Sequence, residues 1–247
     1  MTKKPSKDHY QLKERQKVES EVFDQRTLKV LSKLIKKGML QSVDYPVSTG
    51  KEANVFRATT PSGSMVAVKI YKVETGPFFR REEYLDGDPR FTKIKHNNKD
   101  IVCTFAKKEF KNLTICEKAG INSPKAYYQI ENILIMEFLG EGELPYPNLI
   151  MVGPKNGEAD LDSLLSDIKK LYQAGLVHAD LSEYNILLGK VPYIIDLGQG
   201  VILSHPSAEK FLERDVRNIL NYFAKFGMKK DLAQTLKWIR EEKKISL

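Results

Sequence analysis

Apolar positions along the 247-residue chain change period repeatedly, and each change predicts an element. Val22, Leu28, Leu31, Leu34 and Ile35 recur at helical spacing and stop before Gly38, which predicts an N-terminal helix. Val55 to Thr59 and Met65 to Tyr71 flank the turn Pro61-Ser62-Gly63-Ser64, so two strands are expected there. Helical spacing returns from Phe105 to Ala119, where Ala106, Phe110 and Leu113 form a stripe bordered by Glu109 and Gly120 closes the run. Ala126 to Ile130 and Ile133 to Phe138 predict a hairpin around Glu131-Asn132. Leu161, Leu164, Leu165, Ile168, Leu171 and Tyr172 predict a helix from Asp160 to Ala174 that ends at Gly175. Asn185 to Leu188 and Val191 to Ile195 form a second hairpin about Gly189-Lys190, and Phe211, Leu212, Val216, Ile219, Leu220 and Phe223 mark a last amphipathic helix.

Chemistry concentrates around that second hairpin. Asp180 precedes Asn185 by five residues, and Asp196 follows Asn185 by eleven, at the end of the return strand. A nucleoside triphosphate requires a carboxylate that orients the attacking hydroxyl and oxygen ligands for magnesium, all close to the transferred phosphate. Taken singly, Asp180 is a turn residue and Asn185 a loop stabiliser. The order His-x-Asp, Asn, Asp-x-Gly, each beside an apolar strand, instead matches the motif order of protein kinases.

The upstream segment supplies a candidate phosphate cradle, Val47-Ser48-Thr49-Gly50-Lys51-Glu52-Ala53-Asn54-Val55-Phe56. Small side chains at Ser48, Gly50 and Ala53 let backbone amides approach phosphate oxygens. Gly50-Lys51 is not a Walker loop, because no glycine stands five residues earlier and Glu52 occupies the Ser/Thr position. Lys69 interrupts an apolar strand, an expensive position unless the ammonium is paired. Its expected partners are the α/β-phosphates and a helix glutamate, for which Glu109 is preferred to Glu117. At the exit from the first hairpin, the Glu137 carbonyl and the Leu139 amide are candidate adenine contacts, with Met136 behind the ring.

With these residues in place, the strings Ser48 to Phe56, His178 to Asn185, Ile195 to Gln199 and Glu213 to Asn218 resemble the RIO family of atypical serine/threonine protein kinases, the first (archaeal-type) subfamily best, over roughly residues 18 to 227. The resemblance implies an α+β, bilobal, protein-kinase-like fold with an N-lobe antiparallel sheet plus helix. Its C-lobe would be mostly helical and truncated, lacking the usual activation loop and substrate-binding helices. It implies Asp180 as proton acceptor, Asn185 and Asp196 as magnesium ligands, and Asp196 as the site of a possible aspartyl-phosphate intermediate. Nucleotide contacts would come from Ser48, Gly50, Lys51, Glu52, Ala53, Asn54, Val55, Lys69, Glu109, Met136, Glu137 and Leu139. The implied cofactors are ATP and Mg2+, with Mn2+ as a substitute, and the implied partner is the small ribosomal subunit precursor, through its rRNA or proteins. A small-molecule phosphotransferase of related fold and an idle ribosome-binding scaffold are the alternatives. The Ser-Thr-Gly-Lys-Glu-Ala-Asn string argues against the first, and intact Lys69, Asp180, Asn185 and Asp196 argue against the second.

Departures from ordinary kinases carry mechanism. Ala179 stands where an arginine would pair with a phosphorylated activation loop, Ser182 stands where a lysine is usual, and only about fifty residues follow Asp196. Peptide phosphorylation is therefore expected to be slow or secondary to the bound nucleotide state. The domain plan is a basic segment 1–17, a helical extension 18–40, an N-lobe 41–138 and a hinge plus C-lobe 139–247. Residues 73–102 are expected to be a mobile insertion, with Thr75, Thr92 and Thr104 as the hydroxyls available for autophosphorylation around it. Asp215 falls inside an apolar stripe, where a buried carboxylate needs donors, and the resemblance implies that it braces the catalytic loop, through His178 or nearby amides.

Composition adds limits. Forty-one per cent hydrophobic content supports one substantial core. Two cysteines, Cys103 and Cys116, give no disulfide framework, and the histidines have no zinc spacing. With no bilayer-length apolar run and a polar, Lys-rich start, the expectation is a soluble cytoplasmic protein. The net charge of +8 makes RNA contact plausible, at the first seventeen residues and at Gly227 to Leu247, without any expectation of DNA or membrane binding.

Overall fold

The structure, a computed structural model, describes residues 23–73, 84, 88–91 and 97–241. The expected basic segment 1–17, Val22, Thr75 and Thr92 lie outside them. The chain forms an antiparallel five-stranded sheet followed by a mainly helical half, and a cleft separates the two.

Helix α1 (Gln25–Lys36) starts at Asp24, whose side chain accepts the Thr27 amide at 2.6 Å, and ends before Gly38 in the left-handed region. The sheet consists of β1 (Ser42–Thr49), β2 (Ala53–Thr59), β3 (Met65–Tyr71), β4 (Ala126–Ile130) and β5 (Ile133–Glu137), in the order β1-β2-β3-β5-β4. Alternation along β3 explains its unbroken apolar run: Val66, Val68 and Ile70 pack against Val30, Leu31 and Leu34 of α1. Ala67, Lys69 and Tyr71 take the opposite, cleft-facing side. Leu28 and Ile35, expected in the α1 stripe, are exposed instead, because the sheet covers only a narrow arc of the helix.

Helix α2 (Asn98–Ala119) crosses behind the cleft. It begins seven residues before the run that periodicity marks, since its first turn is polar and is capped by the Asn97 side chain on the Asp100 amide. The expected mobile insertion 73–102 is therefore too long at its C-terminal end, where 98–102 are helical, and most of the remainder lies outside the described residues. Thr104 is also corrected as a phosphorylation candidate: it sits inside α2, partly buried, with its hydroxyl donating to the Asp100 carbonyl at 2.6 Å.

After short strands β6 (Gly140–Glu141) and β7 (Leu144–Pro145) and helix α3 (Leu149–Val152), helix α4 (Glu158–Gln173) forms the spine of the second half. Strand β8 (Leu176–Val177) pairs with β11 (Val201–Ile202), and β9 (Ile186–Leu188) pairs with β10 (Pro192–Ile194). Helix α5 (Ala208–Ala224) packs on α4, and α6 (Leu232–Arg240) closes the bottom, burying Leu236 and Ile239. The basic C-terminal stretch Gly227 to Leu247, expected as a site of RNA contact, is helical over 232–240. Two of its cations are engaged internally, Lys230 with Asp162 and Arg240 with Glu209, both at 2.8 Å. Among the described residues no helix is long and apolar enough to cross a membrane.

Candidate active site

Lys69 is placed by strand alternation. It shares a face with Tyr71, two residues on, and both side chains meet Glu109 from α2. Lys69 Nζ lies 2.9 Å from Glu109 Oε1 and 2.9 Å from Asp196 Oδ1, so a single ammonium bridges the sheet, the helix and the loop after β10. Burial works against this ammonium, but the Asp196 and Glu109 carboxylates outweigh it and hold the Lys69 pKa above the usual lysine range. Tyr71 donates its hydroxyl to the second oxygen of Glu109 and, buried beside that carboxylate, titrates well above a free phenol. Periodicity gave Glu109 only as a border residue, and Tyr71 went unrecognised because a tyrosine at a strand end is an ordinary core residue.

Asp196 occupies a left-handed backbone conformation at the start of a short 3-10 turn, Leu197–Gln199, and its side chain is 51% exposed. The hairpin sets it beside Asn185, since the Ile195 amide donates to the Asn185 carbonyl at 3.0 Å. Asn185 Nδ2 donates to the Asp180 carbonyl at 2.8 Å, which fixes its amide oxygen as the atom available for a ligand. Among the described residues no group of three or more His, Cys, Asp or Glu side chains is arranged to hold a metal. An oxygen pair such as Asn185 and Asp196 suits magnesium, which retains waters and completes its shell with phosphate oxygens.

The loop carrying Asp180 is held from behind by α5. Asp215 accepts the amides of Ala179 at 2.7 Å and Leu181 at 3.0 Å, Arg214 donates to the Ala179 carbonyl, and Asn218 donates to the Leu181 carbonyl at 3.1 Å. This clamp keeps Ala179 at a positive φ, a costly conformation for a residue with a Cβ, and fully buried, which leaves no space for an arginine. Burial pushes the Asp215 carboxyl up to about 6 despite its donors. His178 Nδ1 accepts the Asp180 amide at 3.3 Å, so its proton sits on Nε2 and is donated to the Ile195 carbonyl at 3.0 Å. The bracing expected of Asp215 therefore runs through amides, while His178 ties the two loops together. Arg214, directly before that aspartate, and Asn218, nearly one turn after it, fall inside the Glu213 to Asn218 string, but no role was assigned to them from sequence.

These groups border a cleft of about 680 Å3. Its N-terminal wall includes Ser48, Gly50, Lys51, Glu52, Ala53 and Val55, its inner end Lys69 and Glu109, its hinge side Met136, Glu137 and Leu139, and its floor Asn185 and Asp196. Val55 and Ala67 from the sheet face Leu187 and Ile195 from the helical half, two apolar surfaces suited to the faces of a planar base. Two expected residues do not line it. Asn54 lies between Ala53 and Val55 on an alternating strand and is buried on the other side, so the expected nucleotide contact from Asn54 is not made from the cleft lining. Asp180 is exposed and outside the cleft lining, and its backbone carbonyl accepts from cleft-lining Asn185. Tyr146, Asn148 and Met151, from a connection without periodicity, and Tyr184, from the turn just before Asn185, also line the cleft and were not anticipated as contacts.

Comparison with known proteins gives one family. The model of the RIO domain matches residues 54–236. The RIO-type serine/threonine-protein kinase Rio1 of Haloferax volcanii is 41% identical over 217 residues, 87% of this chain and 74% of the relative. The Thermoplasma acidophilum protein of the same name is 39% identical over 188 residues, 76% of this chain and 100% of the relative. Human serine/threonine-protein kinase RIO1 is 36% identical over 230 residues, although this chain covers only 40% of it. The crystal structure of the Rio2 kinase-ADP/Mg2+-phosphoaspartate complex from Chaetomium thermophilum superposes with a TM-score of 0.65 at 21% identity, over 86% of this chain and 66% of that one. That likeness shows a shared kinase-like fold.

Proposed function

This chain belongs to the RIO family of serine/threonine-protein kinases, and from that premise we propose that it binds ATP with magnesium in the cleft. Its γ-phosphate passes to a serine or threonine hydroxyl or, through Asp196, to water. The observation that carries this reading is the Lys69 ammonium held between Glu109 and Asp196 at the inner end of a cleft with apolar walls.

Lys69 neutralises the α- and β-phosphate oxygens, and Glu109 and Tyr71 keep its amine aimed there. Asn185 and Asp196 would hold a magnesium ion, which when bound would screen phosphate charge. Asp180, exposed and linked through its carbonyl to cleft-lining Asn185, orients an incoming hydroxyl and takes its proton. In the hydrolytic branch an Asp196 oxygen attacks the γ-phosphorus as the bond to ADP breaks. Water then attacks the acyl phosphate, releasing inorganic phosphate and restoring the carboxylate. The half-exposed carboxylate supports this branch, and the phosphoaspartate named for the Chaetomium Rio2 complex provides a precedent on the same fold. The reading extends to a cytoplasmic role in maturation of the small ribosomal subunit, supported by the net charge of +8 and the basic residues of segment 1–17.

Magnesium-dependent ATP turnover by wild type, Asp180→Ala and Asp196→Ala, with and without small-subunit particles, tests the assignment. Both variants are expected to lose at least about 100-fold, and wild type but not Asp196→Ala should yield an acid-stable phospho-enzyme. Equal turnover in all three proteins defeats the site.

A further inference from the structure

Behind the cleft, α2 presents a second polar edge that the proposed chemistry leaves unused. Lys108 and Asn112, one turn apart and both fully buried, direct their polar groups at the backbone that follows Asp196. Asn112 Nδ2 donates to the Leu197 carbonyl at 2.8 Å and to the Gly200 carbonyl at 2.9 Å, using both N–H groups of its amide. Its Oδ1 accepts from Arg90 at 2.8 Å, and that guanidinium is fixed by three further bonds to buried Asp88, at 2.9, 3.2 and 2.7 Å. With carbonyls at one end and a cation at the other, the amide has a single workable orientation. Lys108 Nζ donates to the Gln199 carbonyl at 3.2 Å and to the Tyr84 carbonyl. Gly200 permits this approach, because a Cβ there would fall 2.8 Å from Asn112 Nδ2.

We propose that Asn112, seconded by Lys108, is a positioning residue for phosphoryl transfer: it fixes the backbone of 197–200 and through it the direction of the Asp196 carboxylate. The proposal rests on the kinase reading above. Helix α2 thereby holds both ends of one loop, the Asp196 side chain through Glu109 and Lys69 and the following backbone through Asn112 and Lys108. A buried amide with a purely structural role has no reason to place all of its hydrogen bonds between this loop and one guanidinium. The alternative at lower cost in that position is an apolar side chain.

The test compares full-length wild type with Asn112→Leu, which keeps the branched heavy-atom skeleton and removes the three bonds, and with Gly200→Ala, which disturbs the same contact from the loop side. Single-turnover transfer is measured per ADP-binding site counted by calorimetry, together with the Mg2+ concentration at half-maximal rate. Both variants are expected to slow transfer per site by roughly 10- to 100-fold, to need several-fold more Mg2+, and to bind metal-free ADP like wild type. Variants that lose binding sites while each remaining site works at the wild-type rate and Mg2+ requirement overturn the proposal. Should Asn112→Leu not fold, Arg90→Met, at a partly exposed position, is expected to move rate and Mg2+ requirement in the same direction by a smaller factor, and no movement overturns the proposal equally. Absence of transfer by wild type removes the kinase reading itself and this inference with it, whereas an active wild type matched by all variants removes the inference alone.

Discussion

Lys69 and Lys108 are both cut off from water, on opposite sides of α2's contact with the Asp196 loop, yet their surroundings drive them in opposite directions. Lys69 stands between two carboxylates, and its pKa rises. Lys108 faces carbonyl oxygens, with Asp88 already occupied by Arg90; burial dominates and pulls its pKa down to about 7. Burial alone therefore says little about a lysine's role. The amine that faces fixed negative charge remains a permanent cation fit for phosphate, and the one that faces neutral dipoles becomes a hydrogen-bond donor with an optional charge.

The sharpest way to break this contrast is Lys69→Met. It strands Glu109 as a buried carboxylate and is expected to cost about 3–5 kcal/mol in denaturant unfolding, along with most of the ADP affinity seen by calorimetry. Adding Glu109→Gln should recover much of the stability and none of the affinity; recovery of both would sever Lys69 from the nucleotide.

Lys108→Met comes next, removing the donor shared by the Tyr84 and Gln199 carbonyls at a cost of about 1–3 kcal/mol with ADP affinity kept. Because the folded pKa of Lys108 lies below the unfolded value of 10.5, the native state sheds its proton first. Stability should therefore rise as pH climbs from about 7 towards 10.5, and this slope should vanish in Lys108→Met. Lys69, whose folded pKa is raised, contributes fully below 10.5, so Lys69→Met should retain the slope. A slope carried by Lys69 instead would reverse the comparison.

Asp215→Asn probes the clamp on the other side of the site. The carboxyl, raised from 3.8 to about 6, stabilises the fold fully below 3.8 and loses that contribution as pH rises through 6. The variant should flatten the stability curve between those values, cost about 1–2 kcal/mol through a lost amide bond, and lower turnover by misplacing Asp180. At the weak end, Arg217→Ala removes an exposed pair with Glu213 on α5 and should change stability by no more than about 0.5 kcal/mol. A larger loss would mean that surface pairs contribute to the clamp.

Much of the site was legible because its residues come in short strings whose spacing is set by local structure. Asp180, Asn185 and Asp196 belong to one loop and hairpin, and Lys69 interrupts an apolar strand, which is itself a signal. Glu109 was less legible, since the buried face of α2 contains Lys108, Glu109 and Asn112, and this mixture weakens the helical stripe that would have shown its direction. The same polarity concealed the start of α2 at Asn98. Helix α6 went unread for a related reason: Leu236 and Ile239 are too few to set a period among so many charges.

By itself the amino-acid sequence determined strands β2 to β5, the β9–β10 hairpin, most helices and the motif order, because propensity, apolar period and turn chemistry act over a few residues; β1 and the two-residue strands β6, β7, β8 and β11 were not read from it. Tertiary structure alone decided which polar groups face one another: that one lysine meets two carboxylates and another meets two carbonyls, that Asn54 turns away from the cleft, and that Asn112 holds the backbone behind Asp196. Those outcomes depend on desolvation and on charges brought together from positions as far apart as 69 and 196, and no local pattern in the chain encodes that distance.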